Sequence, residues 1–203
     1  MKSKLTILIV LGLVGTSAWA LARPKQPSLT ARVFSEPLRE ISQQVMLMSH
    51  EGLLDWKVGD TLNFSMQLKP LPTMGTMTIK VTADTAEGYT LTEDVNVSAL
   101  KQKIEVVLDK NTGEIKKMTI NGKPQQVADA GTTKLVKEEE AHITVPAGSF
   151  DCIYLVTEDA NQQKSQSWIN PAAIPISGLL KTKNEAGGIL EINTELVSFV
   201  RGN

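Results

Sequence analysis

Downstream of residue 60, apolar and polar residues alternate over long stretches of the chain. Met77, Ile79, Val81 and Ala83 alternate with Thr76, Thr78, Lys80 and Thr82. A period of two sends the two sets to opposite faces, so this stretch predicts a strand with one wet face. Tyr89, Leu91, Val95, Val97 and Ala99 continue the alternation, and Glu93 interrupts it. A charged residue in an apolar row marks either a bulge that turns it outward or a polar fixing group inside a hollow; the bulge is the expectation here.

The same pattern predicts strands over Thr61 to Leu68, Ile104 to Leu108 and Ile115 to Ile120. Asn121-Gly122 is a tight hairpin turn by composition. Lys123 to Gly131 has weak periodicity and reads as a loop or a short helix. Lys137 to Glu140 reads as a charged, solvated run leading to Ile143 and Val145. Gly148 turns the chain into Phe150 to Val156. There both parities are largely apolar, which predicts a strand covered on two faces. Trp168 ends the next run, and Pro171 and Pro175 break the segment after it. The last pair is Leu179 to Asn184 and Ile189 to Val200, joined through Ala186-Gly187-Gly188. One helix is expected, from the N-cap Ser35, with Leu38, Ile41, Val45 and Met48 as its apolar stripe and Gly52 as its stop.

Roughly nine or ten strands against one helix poses a covering problem. At about 4.8 Å per strand, nine strands span roughly 40 Å. A helix is about 10–12 Å across and roofs two or three of them. The sheet must therefore cover most of its own apolar face. The predicted fold is mainly β, a curved antiparallel meander forming a half-barrel or barrel with one N-terminal helix. Such a sheet leaves an apolar hollow, for which the pattern nominates Met77, Ile79, Val81, Leu91, Ile104, Val106 and Tyr154 as lining.

The N-terminus changes the picture of where the protein works. Lys2 and Lys4 precede an apolar run, Leu5 to Val14, and Ala18-Trp19-Ala20 has the small-x-small form of a cleavage signal. The expected organisation is a signal peptide over 1–20, a leader over 21–34 containing Pro24 and Pro27, and a single β-rich domain over 35–203. The apolar run is shorter than the roughly 20 residues a membrane span needs, so no anchor is expected after cleavage. Export to the periplasm is the expected destination. The net charge of −1, made more negative by loss of Lys2 and Lys4, offers no basic surface for nucleic acid. With one cysteine, Cys152, the chain has no internal disulfide.

Candidate chemistry is sparse. His50 and His142 are the only histidines and stand in no catalytic or zinc-binding spacing. Both read as surface or edge residues. Cys152 lies within an apolar strand and reads as a buried inert thiol. Met46, Met48 and His50, with Met66, Met74 and Met77 further on, are soft ligands that would suit Cu(I). On a helix, however, alternate positions diverge and do not converge on one ion. Trp56 and Trp168 read as core anchors rather than stacking platforms. Glu138 to Glu140 read as solvated rather than metal-binding. Gly113, Gly122 and Gly148 read as turn glycines, and no phosphate-cradling loop is present. No cofactor, no metal and no enzymatic activity are expected.

Four short motifs come in a recognisable order: Trp56-Lys-Val-Gly-Asp60, Val145-Pro-Ala-Gly-Ser-Phe-Asp-Cys152, Trp168-x-x-Pro171 and Gly178-Leu-Leu-Lys181. Together they resemble a group of exported bacterial β-proteins of unknown function. The resemblance implies a curved antiparallel sheet similar to the half-barrels of the LolA and LolB lipoprotein carriers. It implies no activity. The leading expectation is an exported, non-enzymatic binding protein that holds a lipid, a lipidated protein or another apolar ligand. The alternative is an envelope interaction or structural module with a solid core and a protein partner.

Overall fold

A computed structural model describes residues 56–70, 72–98, 100–126, 134–159, 162–186 and 190–203. The helix expected from Ser35, the leader, and Met46, Met48 and His50 all lie outside these residues. Among the described residues the regular structure is entirely strand. The first four strands are β1 (Thr61–Lys69), β2 (Thr73–Thr85), β3 (Gly88–Val97) and β4 (Leu100–Leu108). Next come β5 (Ile115–Ile120), the two-residue β6 (Lys123–Pro124), β7 (Lys134–Val145) and β8 (Gly148–Glu158). The series ends with β9 (Lys164–Ile169), β10 (Leu179–Ala186) and β11 (Leu190–Val200).

All eleven belong to one antiparallel sheet in the order β6-β5-β4-β3-β2-β1-β11-β10-β9-β8-β7. Chain neighbours are sheet neighbours except at one place. The ladder is cut between β6 and β7, which are its two edges, and the first and last strands meet at its middle. The sheet is curved but not closed. It curls over on the β7–β11 side. In a flat sheet β8 and β11 would lie three spacings apart, roughly 14 Å. Yet Ala147, in the β7–β8 turn, donates its N–H to the Leu196 carbonyl of β11 at 3.0 Å. The receiving strand is prepared for this contact. Asn63 pairs with Ser198 and Phe64 with Leu196, so Val197 is bulged out of the β1 ladder next to that carbonyl.

Local chemistry accounts for the turns. Asn121 and Gly122 have φ of 51° and 74°, the doubly positive geometry of the two-residue hairpin that Asn-Gly favours. Gly88 has a stricter reason: a Cβ there would collide with the Leu108 carbonyl oxygen. Backbone and backbone touch at this crossing, and a side chain has no room.

Two of the sequence motifs prove to be fastenings. Asp60 is fully buried, and its carboxylate accepts the Lys57 N–H at 2.9 Å and the Gly202 N–H at 2.8 Å. The backbone of Gly59 and Asp60 also pairs with Val81 of β2. Trp56-Lys-Val-Gly-Asp60 thus ties the segment before β1 and the segment after β11 to the sheet. Asn170 closes the loop between β9 and β10. Its N–H donates to the Gly178 carbonyl at 2.8 Å, and its side-chain amide donates to the Asp151 carbonyl at 2.9 Å. The closed loop buries Ile174 and Ile176 in the core. Apolar cover expected mainly from the sheet and one helix is supplied in part by this loop.

Other expectations need correction. Among the described residues there are eleven strands rather than nine or ten, because β6 is only two residues long and carries no readable period. The charged run Lys137 to Glu140 is solvated, as expected, and belongs to edge strand β7. Phe150 to Val156 is covered on two faces only in part: Cys152 and Leu155 are buried, whereas Ile153 is 36% exposed. Glu93 marks no bulge. Its ladder runs unbroken, with Ile79 on one side and Ile104 on the other, and its side chain shares the buried face with theirs. The irregularity lies on the neighbouring strand, at Thr82 between Val81 and Ala83.

Candidate functional site

Register and alternation assemble a three-by-three array on the buried face of β2, β3 and β4. Its rows are Met77–Val95–Gln102, Ile79–Glu93–Ile104 and Val81–Leu91–Val106. β1 extends the wall through Leu62 and Phe64, and β5 through Met118 and Ile120. Every member of the array is buried. Six of the seven residues nominated from the sequence as lining are therefore brought together, and they occupy six of the nine positions.

Glu93 stands at the centre of this array, with apolar residues at every surrounding position except the corner held by Gln102. Its exposure is 0%, and neither carboxylate oxygen has a hydrogen-bond partner. Burial pushes the carboxyl well above the ordinary carboxylate range, and the charge on the adjacent Asp94 adds to the shift. The shift favours the protonated form, which can donate one hydrogen bond and accept others. The Gln102 amide nitrogen is likewise buried without a partner. Diagonal positions in an antiparallel pair are about 7–8 Å apart, close enough for two long side chains to act on one group between them.

The other half of the buried face is more polar. Ser167, Thr182 and Thr194 form a cross-strand row that reaches Met66 on β1. All three are buried, and the two threonine hydroxyls are 2.6 Å apart. Asn184 is also buried, with its side-chain oxygen unpartnered.

Tyr154 is placed elsewhere. Its row is Glu139–Tyr154–Trp168–Lys181–Glu195, which alternation sets on the face opposite to Thr182 and Thr194. Its ring lies 4.8 Å from that of Trp168, and its hydroxyl donates to Gln166 at 2.9 Å. The Lys137 and Lys181 ammoniums stand 5.3 Å and 5.5 Å from the two rings and also pair with Glu139 and Glu195, each at 2.8 Å. The phenol is satisfied within an outer aromatic and ionic ladder.

The remaining candidates stay apart. His142 pairs with Asp151 at 2.7 Å, but both are exposed on the β7–β8 hairpin. Burial, with the charge on Asp151, pushes the Cys152 thiol up and keeps it protonated. Met66 and Met77 are buried while Met74 is exposed, so the three do not share a face. Trp56 is a core residue, 5.3 Å from the Tyr89 ring. Among the described residues no group of three or more His, Cys, Asp or Glu side chains is placed to hold a metal ion. Gln102 was not singled out in the sequence, although the signal was present. It occupies the apolar parity of Ile104, Val106 and Leu108, as Glu93 does on its own strand.

Fold and site together define an open, curled antiparallel sheet with an apolar wall and an unpartnered polar centre. The sequence matches no protein-family model and no curated protein. Solved structures align with it at low identity. A candidate lipoprotein from Parabacteroides distasonis aligns at 13% identity and a TM-score of 0.40, over 73% of this chain and 98% of its own. A candidate exported protein with a YmcC-like fold from Bacteroides fragilis aligns at 10% identity and a TM-score of 0.37, over 72% of this chain and 97% of its own. The MucA/MucB complex of Pseudomonas aeruginosa aligns at 12% identity and a TM-score of 0.40, over 81% of this chain and 58% of the matched one.

Proposed function

We propose that this chain is an exported, non-enzymatic binding protein of the cell envelope, resident in the periplasm, whose curved sheet holds an apolar or lipid-like ligand. The observation that carries the reading is the array around Glu93. A solid core gains nothing from a buried carboxyl and a buried amide left without partners, each costing about 1–3 kcal/mol. A binding wall gains a point of attachment. The segment over 1–20, with Lys2 and Lys4 before an apolar run and Ala18-Trp19-Ala20 after it, supports export. Native mass spectrometry of the protein purified from its own envelope tests the reading. A co-purifying mass that organic extraction removes is expected. A protein that carries none, and that takes up no fluorescent lipid, defeats it.

A second reading is an envelope protein–protein module. Edge strand β7 favours it, with twelve residues, one side unpaired among the described residues and mostly exposed side chains. Such an edge can accept a partner strand by backbone pairing. A protein partner that is still captured after delipidation supports this reading over the first.

A further inference from the structure

Resting on the binding reading above, we propose that the ligand is a neutral acyl ester and that Glu93 and Gln102 together hold its ester carbonyl within the apolar wall of β2, β3 and β4. The chemistry rests on what the two side chains offer. Gln102 presents an unpartnered N–H, which is a donor only. Glu93, fully buried with both carboxyl oxygens unpartnered, presents in its protonated form an O–H donor and a carbonyl acceptor. Two donors set diagonally across one strand pair call for an acceptor oxygen between them. The remaining Glu93 oxygen suits a hydroxyl on the same head. The side chains surrounding Glu93 in the array are Met77, Ile79, Val81, Leu91, Val95, Ile104 and Val106, with Gln102 at one corner. None is ionisable, and Asp94, the nearest charge, follows Glu93 in the chain and is exposed on the other face.

A cationic head would use Glu93 but meet the Gln102 N–H as a clash of donors. A plain hydrocarbon would leave both polar groups unanswered. An acyl ester satisfies the pair and lays its chain along apolar side chains. Free glycerolipids and the diacylglyceryl cysteine of lipoproteins both present this group, so the chemistry is shared and the source is separable.

The test uses the full chain and measures displacement of a hydrophobic fluorophore by four probes. These are 1-monooleoylglycerol, a diacylglyceryl-cysteine peptide, oleylamine and 1-octadecene. One of the two esters is expected to bind about tenfold tighter than octadecene, and which one does so assigns the source. Glu93→Leu and Gln102→Leu are each expected to weaken ester binding about tenfold and to leave octadecene unchanged. Glu93→Gln, which stays neutral and keeps a donor, is expected to remain within about threefold of wild type. It keeps the test valid should the leucine variants misfold, which circular dichroism would reveal. Oleylamine binding tightest, or equal ester affinity in wild type and in folded Glu93→Leu, overturns the assignment of Glu93 but leaves the binding reading intact. Failure of wild type to bind any of the four overturns the binding reading itself.

Discussion

Glu93 is the residue whose environment differs most from what its chemistry prefers. The unfolded chain ionises it near the ordinary value of 4.5, while the folded sheet holds its proton to much higher pH. Between those two values the native state binds more protons than the unfolded state, so stability falls as pH rises. The slope reaches about 1.4 kcal/mol per pH unit for one group. Urea titrations from pH 5 to pH 8 are expected to show this decline in wild type and its loss in Glu93→Gln. Asp109 and Glu191, held down to about 2 by Lys116 and Lys183 among others, act in the opposite sense. Their support is present above the ordinary carboxylate range and is lost as pH falls toward 2, so a window starting at pH 5 excludes them. Glu93→Leu is expected to raise stability by about 1–3 kcal/mol in the absence of ligand, read as a higher urea midpoint. A loss of stability would mean that Glu93 has a bonding partner. The break in the alternation at Glu93 was visible in the sequence, but its direction was not. A bulge and an inward carboxyl leave the same mark in a linear pattern, and only the registers on both sides separate them.

At the scale of elements, alternation alone located most of the strands, because one face of this sheet is wet and the other buried. Ile115–Ile120 has the bounds read from the pattern, and Asn121-Gly122 makes the turn its composition implies. The fastenings were less legible. Asp60 looks like an ordinary turn residue in the sequence; its second partner, Gly202, comes from the far end of the chain. Asp60→Ala leaves two part-buried backbone donors without their acceptor and is expected to cost about 1–3 kcal/mol, measured by chemical denaturation. A change within a few tenths would mean that water replaces the carboxylate. The β9–β10 loop was also hidden, since Pro171 and Pro175 signal a break and say nothing of burial. Ile174 is 1% exposed in the core. Ile174→Ala is expected to cost about 2–5 kcal/mol, in the range of buried aliphatic truncations, with the far-ultraviolet spectrum retained. A cost near zero would place the loop outside the cooperative core.

Over the whole molecule, the order of strands puts the first and last described strands at the middle of the sheet. β1 and β11 are paired through nine positions, from Thr61 with Val200 to Lys69 with Glu191, and each has a further strand on its other side. The edges, by contrast, are internal in sequence: β6, of two residues, and β7, with most of its side chains exposed. Stability within one sheet is not uniform, and edge hydrogen bonds open at lower cost than central ones. Amide exchange is therefore expected to be slowest in β1 and β11 and fastest in β5, β6 and the first half of β7. Because the central pair joins residues far apart in sequence, it carries a large closure entropy and should form late in folding. Removing β11, from Leu190 onward, is then expected to abolish cooperative unfolding altogether, whereas cutting the backbone between β6 and β7 should leave a folded, nicked sheet. If the truncated chain still melts cooperatively, the two halves are independent units and the continuous curved wall on which binding rests is not a single body.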